Sequence, residues 1–247
     1  MSIQEKIENI KNFLPKSKIV PSILSDDSDF VEHELLRYMD YFDEIEFDVV
    51  TQDFTKIVNT KQFDTTLSIN EYSEALLETE LSSTIKPYFH LMSNNFLELL
   101  EAIDPIAFAN AGFIVHLDSS IFSNSSWIQK FSRFDDWEIG IALNPDSDVE
   151  KLREIKTKWN EFWHGYGETR KLFDFVQVMT VEPGAQGKEF TPSQLRNIPT
   201  IKELFKEAII KVDGGINLQN LTSLSNGELD AMKSVNVAIV GSYFQTN

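Results

Sequence analysis

The sequence predicts an α/β protein of the (β/α)8 (TIM) barrel class, and three observations predict it. Short apolar, β-branched runs alternate with polar turns and helical stretches, the pattern of a parallel sheet. Eight such runs can be counted along the chain, and eight within about 220 residues close into a ring rather than remain an open sheet. The length of 247 residues suits one large barrel domain spanning 1–247.

The eight runs are 18–22, 44–50, 88–92, 113–117, 139–143, 175–181, 208–212 and 235–240. Typical of them are Phe113-Ile-Val-His-Leu117 and Val235-Asn-Val-Ala-Ile-Val240, short and rich in β-branched residues. Helical stretches are expected between them at 28–40, 70–82, 94–110, 147–160, 192–206 and 217–232, with 119–135 the weakest. Residues 159–169 read as an inserted loop on the face away from the chemistry. Its Trp159, Phe162, Trp163 and Tyr166 either cover the barrel's lower end or form a subunit contact.

The first 17 residues form a helical extension. Ser2 and Glu5 have capping-box spacing, Ile3, Ile7, Ile10 and Leu14 recur at helical period, and Pro15 ends the run. After the last strand only 241–247 remain, so the final helix of the barrel is truncated. The leading helix could fill that gap on the outer wall or plug the lower mouth. The short 15–17 link favours the plug.

Composition limits the partners. Thirty-nine acidic residues against 22 basic ones give a net charge of -17, which argues against nucleic acid and anionic membranes. A small phosphorylated ligand remains compatible, because backbone amides can hold a phosphate. Cysteine is absent, so neither disulfides nor thiolate chemistry is expected. The polar N-terminus and the lack of a long apolar run make a cytoplasmic protein the expectation.

In such a barrel, chemistry sits on the loops that follow the strands. The polar residues at strand ends are Ser22, Glu46, Asp48, His90, His116, Asp118, Asn144, Glu182, Asp213 and Ser242. Asp213-Gly-Gly215 and Val240-Gly-Ser242 end neighbouring strands with glycines that let a backbone approach a phosphate closely, although glycines can also simply turn corners. Asp48 and Asp213, on well-separated strands, could face each other and serve two-sided proton transfer; each could equally be a cap. Glu46 and Asp48 share one side of a strand. With His90 and Asp213 they offer a divalent cation three carboxylates and an imidazole. His116 reads as a hydrogen-bonded core residue, and His33 and His164 have no expected role.

Six segments then carry a resemblance. Val20-Pro-Ser-Ile-Leu24, Phe89-His-Leu-Met92, Gly140-Ile-Ala-Leu-Asn-Pro145, Val178-Met-Thr-Val-Glu-Pro-Gly184, Val212-Asp-Gly-Gly-Ile216 and Val240-Gly-Ser242 resemble, in order, the strand motifs of ribulose-phosphate 3-epimerases. The resemblance implies metal-dependent epimerisation at C3 of a ketose phosphate such as ribulose 5-phosphate, an isomerase step of pentose phosphate metabolism. It implies Asp48 and Asp213 as the acid/base residues, and a divalent metal (Zn, Fe(II), Mn or Mg) on Glu46, Asp48, His90 and Asp213. Ser22, Met92 and Met179 would line the substrate, and Gly184, Gly187, Gly214, Gly215, Gly241 and Ser242 its phosphate. A homo-oligomer is expected.

The chain departs from the family pattern in places. Glu46 stands where the family carries His, the Asp-Gly turn after the second strand is missing, and the loop usually reading Gly-Phe-Gly-Gly is Gly184-Ala-Gln-Gly187. Glu for His gives harder donors, which favour Mn, Mg or Fe(II) over Zn. The same scaffold also suits an impaired member that binds a phosphorylated ligand, or a non-catalytic assembly protein.

Overall fold

The computed structural model describes residues 1–51, 54, 66–102, 110–123, 126–134, 136–168, 170–184 and 187–245. Part of the expected helix at 94–110 and the middle of the Gly184–Gly187 loop lie outside the described residues.

The strands are Lys18–Ile23 (β1), Glu44–Val50 (β2), Lys86–Met92 (β3), Gly112–His116 (β4), Glu138–Leu143 (β5), Phe175–Met179 (β6), Ile209–Asp213 (β7) and Val237–Val240 (β8). All pair in parallel, in sequence order, and β8 closes on β1. This is the expected barrel. Residues two apart share a face, so β2 turns Glu46 and Asp48 toward the axis, and β7 turns Lys211 and Asp213 the same way.

The helices are Ile3–Phe13 (α1), Ser28–Tyr38 (α2), Ile69–Glu78 (α3), Phe96–Ala102 (α4), Ser126–Phe131 (α5), Glu150–Gly165 (α6), Ile198–Leu204 (α7), Leu218–Ser223 (α8) and Asn226–Lys233 (α9). Three expected helices are broken. The 119–135 stretch holds 3-10 turns at Ser120–Ser123 and Ser132–Phe134 on either side of α5. Before α7, residues Pro192–Asn197 form a 3-10 turn, and Pro199, which lacks an N–H, sits in the first turn of α7. The 217–232 stretch divides because Ser225 starts a new helix: it makes a capping box with Glu228.

The leading helix takes the outer-wall position, not the lower mouth. Near its start, Lys6 Nζ donates to the Phe244 carbonyl at 3.4 Å and lies over the Tyr243 ring. Near its end, Lys11 Nζ donates to the Ser17 carbonyl at 2.6 Å. It therefore descends from the rim after β8 to the start of β1, burying Ile10 and Leu14 completely. The short link is what this geometry needs, because helix end and strand start meet at the bottom. Charge pairs occupy the lower rim: Lys18 binds Asp43 and Glu44 at 2.7 and 2.9 Å, and Lys86 binds Glu138 at 2.7 Å.

Residues 159–165 are not a loop. Helix α6 continues to Gly165, Trp159 stacks on Trp127, and its Nε1 donates to the Arg170 carbonyl. Trp159 and Trp163 are buried within the chain and Phe162 packs on its core; Tyr166 is exposed. Among the described residues no helix is long and apolar enough to cross a membrane.

Candidate active site and metal centre

A cavity of about 700 Å³ opens at the C-terminal ends of the strands. Asp48, His90 and Asp213 line it with Ser22, Met92 and Met179. Gly184, Gly187, Gly214, Gly215, Gly241 and Ser242 line it too. Of the residues expected in the site, Glu46 alone is absent from the lining; it is fully buried just beneath.

The strand ends are held by their neighbours. Tyr72, from α3, reaches under the rim and its hydroxyl donates toward the Ser25 and Asp48 carbonyls, tying β1 to β2. Thr180, just past β6, donates from both its N–H and its hydroxyl to the Asp213 carbonyl, at 2.7 and 2.9 Å. Gly214 follows with φ 106, and a Cβ there would come within 2.4 Å of the Val181 side chain. Only glycine satisfies both demands.

Around His90 three carboxylates converge. Its Nδ1 lies 3.1 Å from Asp48 Oδ1, 3.4 Å from Glu46 Oε1 and 3.9 Å from Asp213 Oδ2. Its Nε2 lies 2.9 Å from His116 Nε2, and His116 Nδ1 lies 2.7 Å from Asn144 Oδ1. The chain of bonds assigns the protons. An amide oxygen only accepts, so His116 carries its proton on Nδ1 and presents a lone pair from Nε2. His90 then donates from Nε2, which leaves Nδ1 facing the carboxylates. There it can share a proton with a carboxyl group or take a cation.

Electrostatics agree. Burial alone would lower the His90 pKa, but the hydrogen bonds and charges of Asp48 and Glu46 overcome it and push it up to about 10. His116 moves the other way, to about 3, through burial and then the charge of His90. Burial raises Asp48 despite the opposing pull of His90. Burial, followed by the charges of Glu46 and Asp48, holds Asp213 well above the usual carboxylate range.

The donor set fits a divalent ion. Ligand atoms of Glu46, Asp48 and His90 all lie within 4.8 Å of one another and are all buried. Glu46 Oε2 has no hydrogen-bond partner, an open acceptor of the kind a cation satisfies. His116 and Asn144 are placed as outer partners that would fix the His90 imidazole were it to bind a metal. The core assignment of His116 thus holds, with a bond to the site that its position alone did not disclose. Gln177 and Lys211 were missed altogether. Gln177 Nε2 donates to Glu46 Oε1 at 2.8 Å and reaches Asp213 Oδ2 at 3.4 Å. Counting back by two from Met179 and Asp213 would have found both.

Comparison with known proteins follows the same line. The ribulose-phosphate 3 epimerase family matches over residues 18–243. The chain is 26% identical over 215 residues to the ribulose-phosphate 3-epimerase of Schizosaccharomyces pombe, covering 85% of this chain and 82% of that one. It is 29% identical over 128 residues to the cytoplasmic isoform of Oryza sativa subsp. japonica, and 31% over 93 residues to the enzyme of Buchnera aphidicola subsp. Baizongia pistaciae. These last two matches span 50% and 35% of those relatives. A solved mutant tryptophan synthase alpha-subunit from Pyrococcus furiosus superposes with a TM-score of 0.55 at 14% identity, over 91% of this chain and 87% of that one. At that identity it speaks for the barrel alone. With the family matching nearly the whole length, the chain belongs to the ribulose-phosphate 3-epimerase family.

Proposed function

We propose that the cavity epimerises a ketose phosphate, such as ribulose 5-phosphate, at C3, with Asp48 and Asp213 as its two acid/base residues. One observation carries the reading: carboxylates from β2 and β7 meet around one imidazole nitrogen at the cavity floor. Proton removal by one and return by the other, from opposite faces, inverts the carbon between them. Both hold protons more tightly than ordinary carboxylates, which strengthens them as bases.

A divalent cation, when bound, supplies positive charge against the developing enediolate. Glu46, Asp48, His90 and Asp213 would hold it. Ser22 orients the ligand by hydrogen bonding, and Met92 and Met179 pack on the reacting carbon and keep water away. The glycine loops ending at Gly184, Gly187, Gly214, Gly215 and Gly241, with Ser242, receive the phosphate through backbone amides. Gly214→Ala is therefore expected to cost about 1–3 kcal/mol of stability and to weaken binding of the ketose phosphate. Thermal melts and ligand titration check both effects.

Glu46 also sets the metal. Glu46→His is expected to raise the ratio of Zn to Mn affinity by roughly tenfold or more, since imidazole suits Zn and carboxylate suits Mn. Competitive metal titration reads this directly, and an unchanged ratio would remove Glu46 from the coordination shell. The test of the whole reading is metal analysis of the purified protein together with an epimerisation assay over several ketose phosphates. Bound metal with turnover supports it. Bound ligand with no turnover on any of them would favour a second reading, for which Glu46 is the motive: a family member that binds a phosphorylated sugar without converting it.

A further inference from the structure

Among the described residues, three buried polar atoms at the barrel centre lack hydrogen-bond partners: Glu46 Oε2, Gln177 Oε1 and Lys211 Nζ. They belong to one neighbourhood. Gln177 and Lys211 are register partners on β6 and β7, and Gln177 spans the axis to Glu46. Lys211 is 1% exposed. Its ammonium lies 3.4 Å from the Tyr88 ring centroid and 3.7 Å from that of Phe175. Two glycines make room for this aromatic box. A Cβ on Gly112 would meet Tyr88 at 2.6 Å, and one on Gly140 would meet Phe175 at 2.1 Å.

Two ring faces offset only part of the cost of drying an ammonium; the remainder calls for an anion. The carboxylates that act on Lys211 are those of Glu46, Glu44 and Glu138, with Lys86 opposing. Glu138 is already bound by Lys86 and the Tyr88 hydroxyl, and Glu44 by Lys18. Glu46 has no such lysine among the described ion pairs: its Oε1 meets His90 Nδ1 at 3.4 Å and Gln177 Nε2 at 2.8 Å, while its Oε2, like Lys211 Nζ, stays open. Burial lowers the Lys211 pKa to about 8, and the charge of Glu46 is the first to oppose it.

We propose that Lys211 is the internal counter-cation of Glu46, and that Gln177 bridges the two sides of the axis and aims Glu46 at the His90 cluster. Both are positioning residues, fitting the barrel floor to a carboxylate at position 46. The inference concerns the metal-free protein, so it stands or falls independently of metal binding and of turnover.

The test is a double-mutant cycle on full-length protein melted in excess EDTA. Lys211→Met strands a buried carboxylate and is expected to lower Tm by about 10 °C. Glu46→Gln strands the ammonium and also lowers Tm. Combined, the two should cost clearly less than their sum, because neither charge remains. Simple addition of the losses would overturn the pairing. Should Lys211→Met fail to fold, the double variant decides. It folds if the charge pair is the reason, and fails too if Lys211 serves only packing. A second readout reverses sign. In a Glu46→His background, Lys211→Met should raise Tm by relieving an ammonium set beside an imidazole, whereas a packing role predicts a further fall.

Discussion

Asp48→Asn and Asp213→Asn are each expected to lower kcat on the ketose phosphate by at least about 100-fold while the protein stays folded. An amide keeps the shape of the carboxyl but can neither take up nor return a proton. The second half of the expectation follows from burial. The folded protein disfavours the ionised form of both groups, Asp213 above all. A group whose pKa is raised on folding weakens the fold as pH climbs through that value, so at neutral pH its carboxylate is a liability. Neutral asparagine removes the repulsion from Glu46. The Tm of Asp213→Asn should therefore equal or exceed that of the parent. Lost turnover with retained or improved stability separates a catalytic role from a structural one. Full activity in either variant sinks the two-base assignment.

Deletion of residues 1–14 is expected to lower Tm by roughly 10–20 °C. Two fully buried side chains, Ile10 and Leu14, would vanish with the partly buried Ile3, Ile7 and Phe13. At about 1.5–3 kcal/mol for each full burial, the loss is roughly 5 kcal/mol against a typical total of about 5–15 kcal/mol. The uncovered wall near Phe244 adds to it. Metal affinity of whatever remains folded should not change, because the His90 cluster lies on the inner face of the strands. A Tm within a degree or two of the parent would show that α1 is a loose tail.

The barrel was legible because eight strands repeat one pattern and each buries both faces. Asp48, His90 and Asp213 were legible for a narrower reason: they stand toward the C-terminal ends of strands, where a barrel opens its cavity. Lys211 and Gln177 were not noticed, since a polar residue inside an apolar run reads as noise unless its partner is known, and Glu46 lies 165 residues before Lys211 (211 − 46). The plug placement of α1 failed on a geometric assumption. A short link limits travel along the wall only if the link must do the travelling, and here the helix runs down the wall before the link begins. Residues 159–169 read as an inserted loop, although helical period places Trp159 and Trp163 on one face.

The seam where α1 meets Phe244 has a consequence for how the chain is made. The Lys6–Phe244 bond joins residues 238 positions apart. The entropy of closing so long a loop grows only logarithmically, so the finished ring loses little by it. Timing is another matter. Synthesis runs from the N-terminus, so α1 emerges with an apolar stripe and β1 with an unpaired edge, and both wait for β8 and the turn after it. Throughout elongation the growing ring is an open sheet whose first strand offers free backbone groups to any passing segment, including the same segment of a neighbouring chain. The acidic composition, with a net charge of -17 over the full sequence, sets like copies to repel one another.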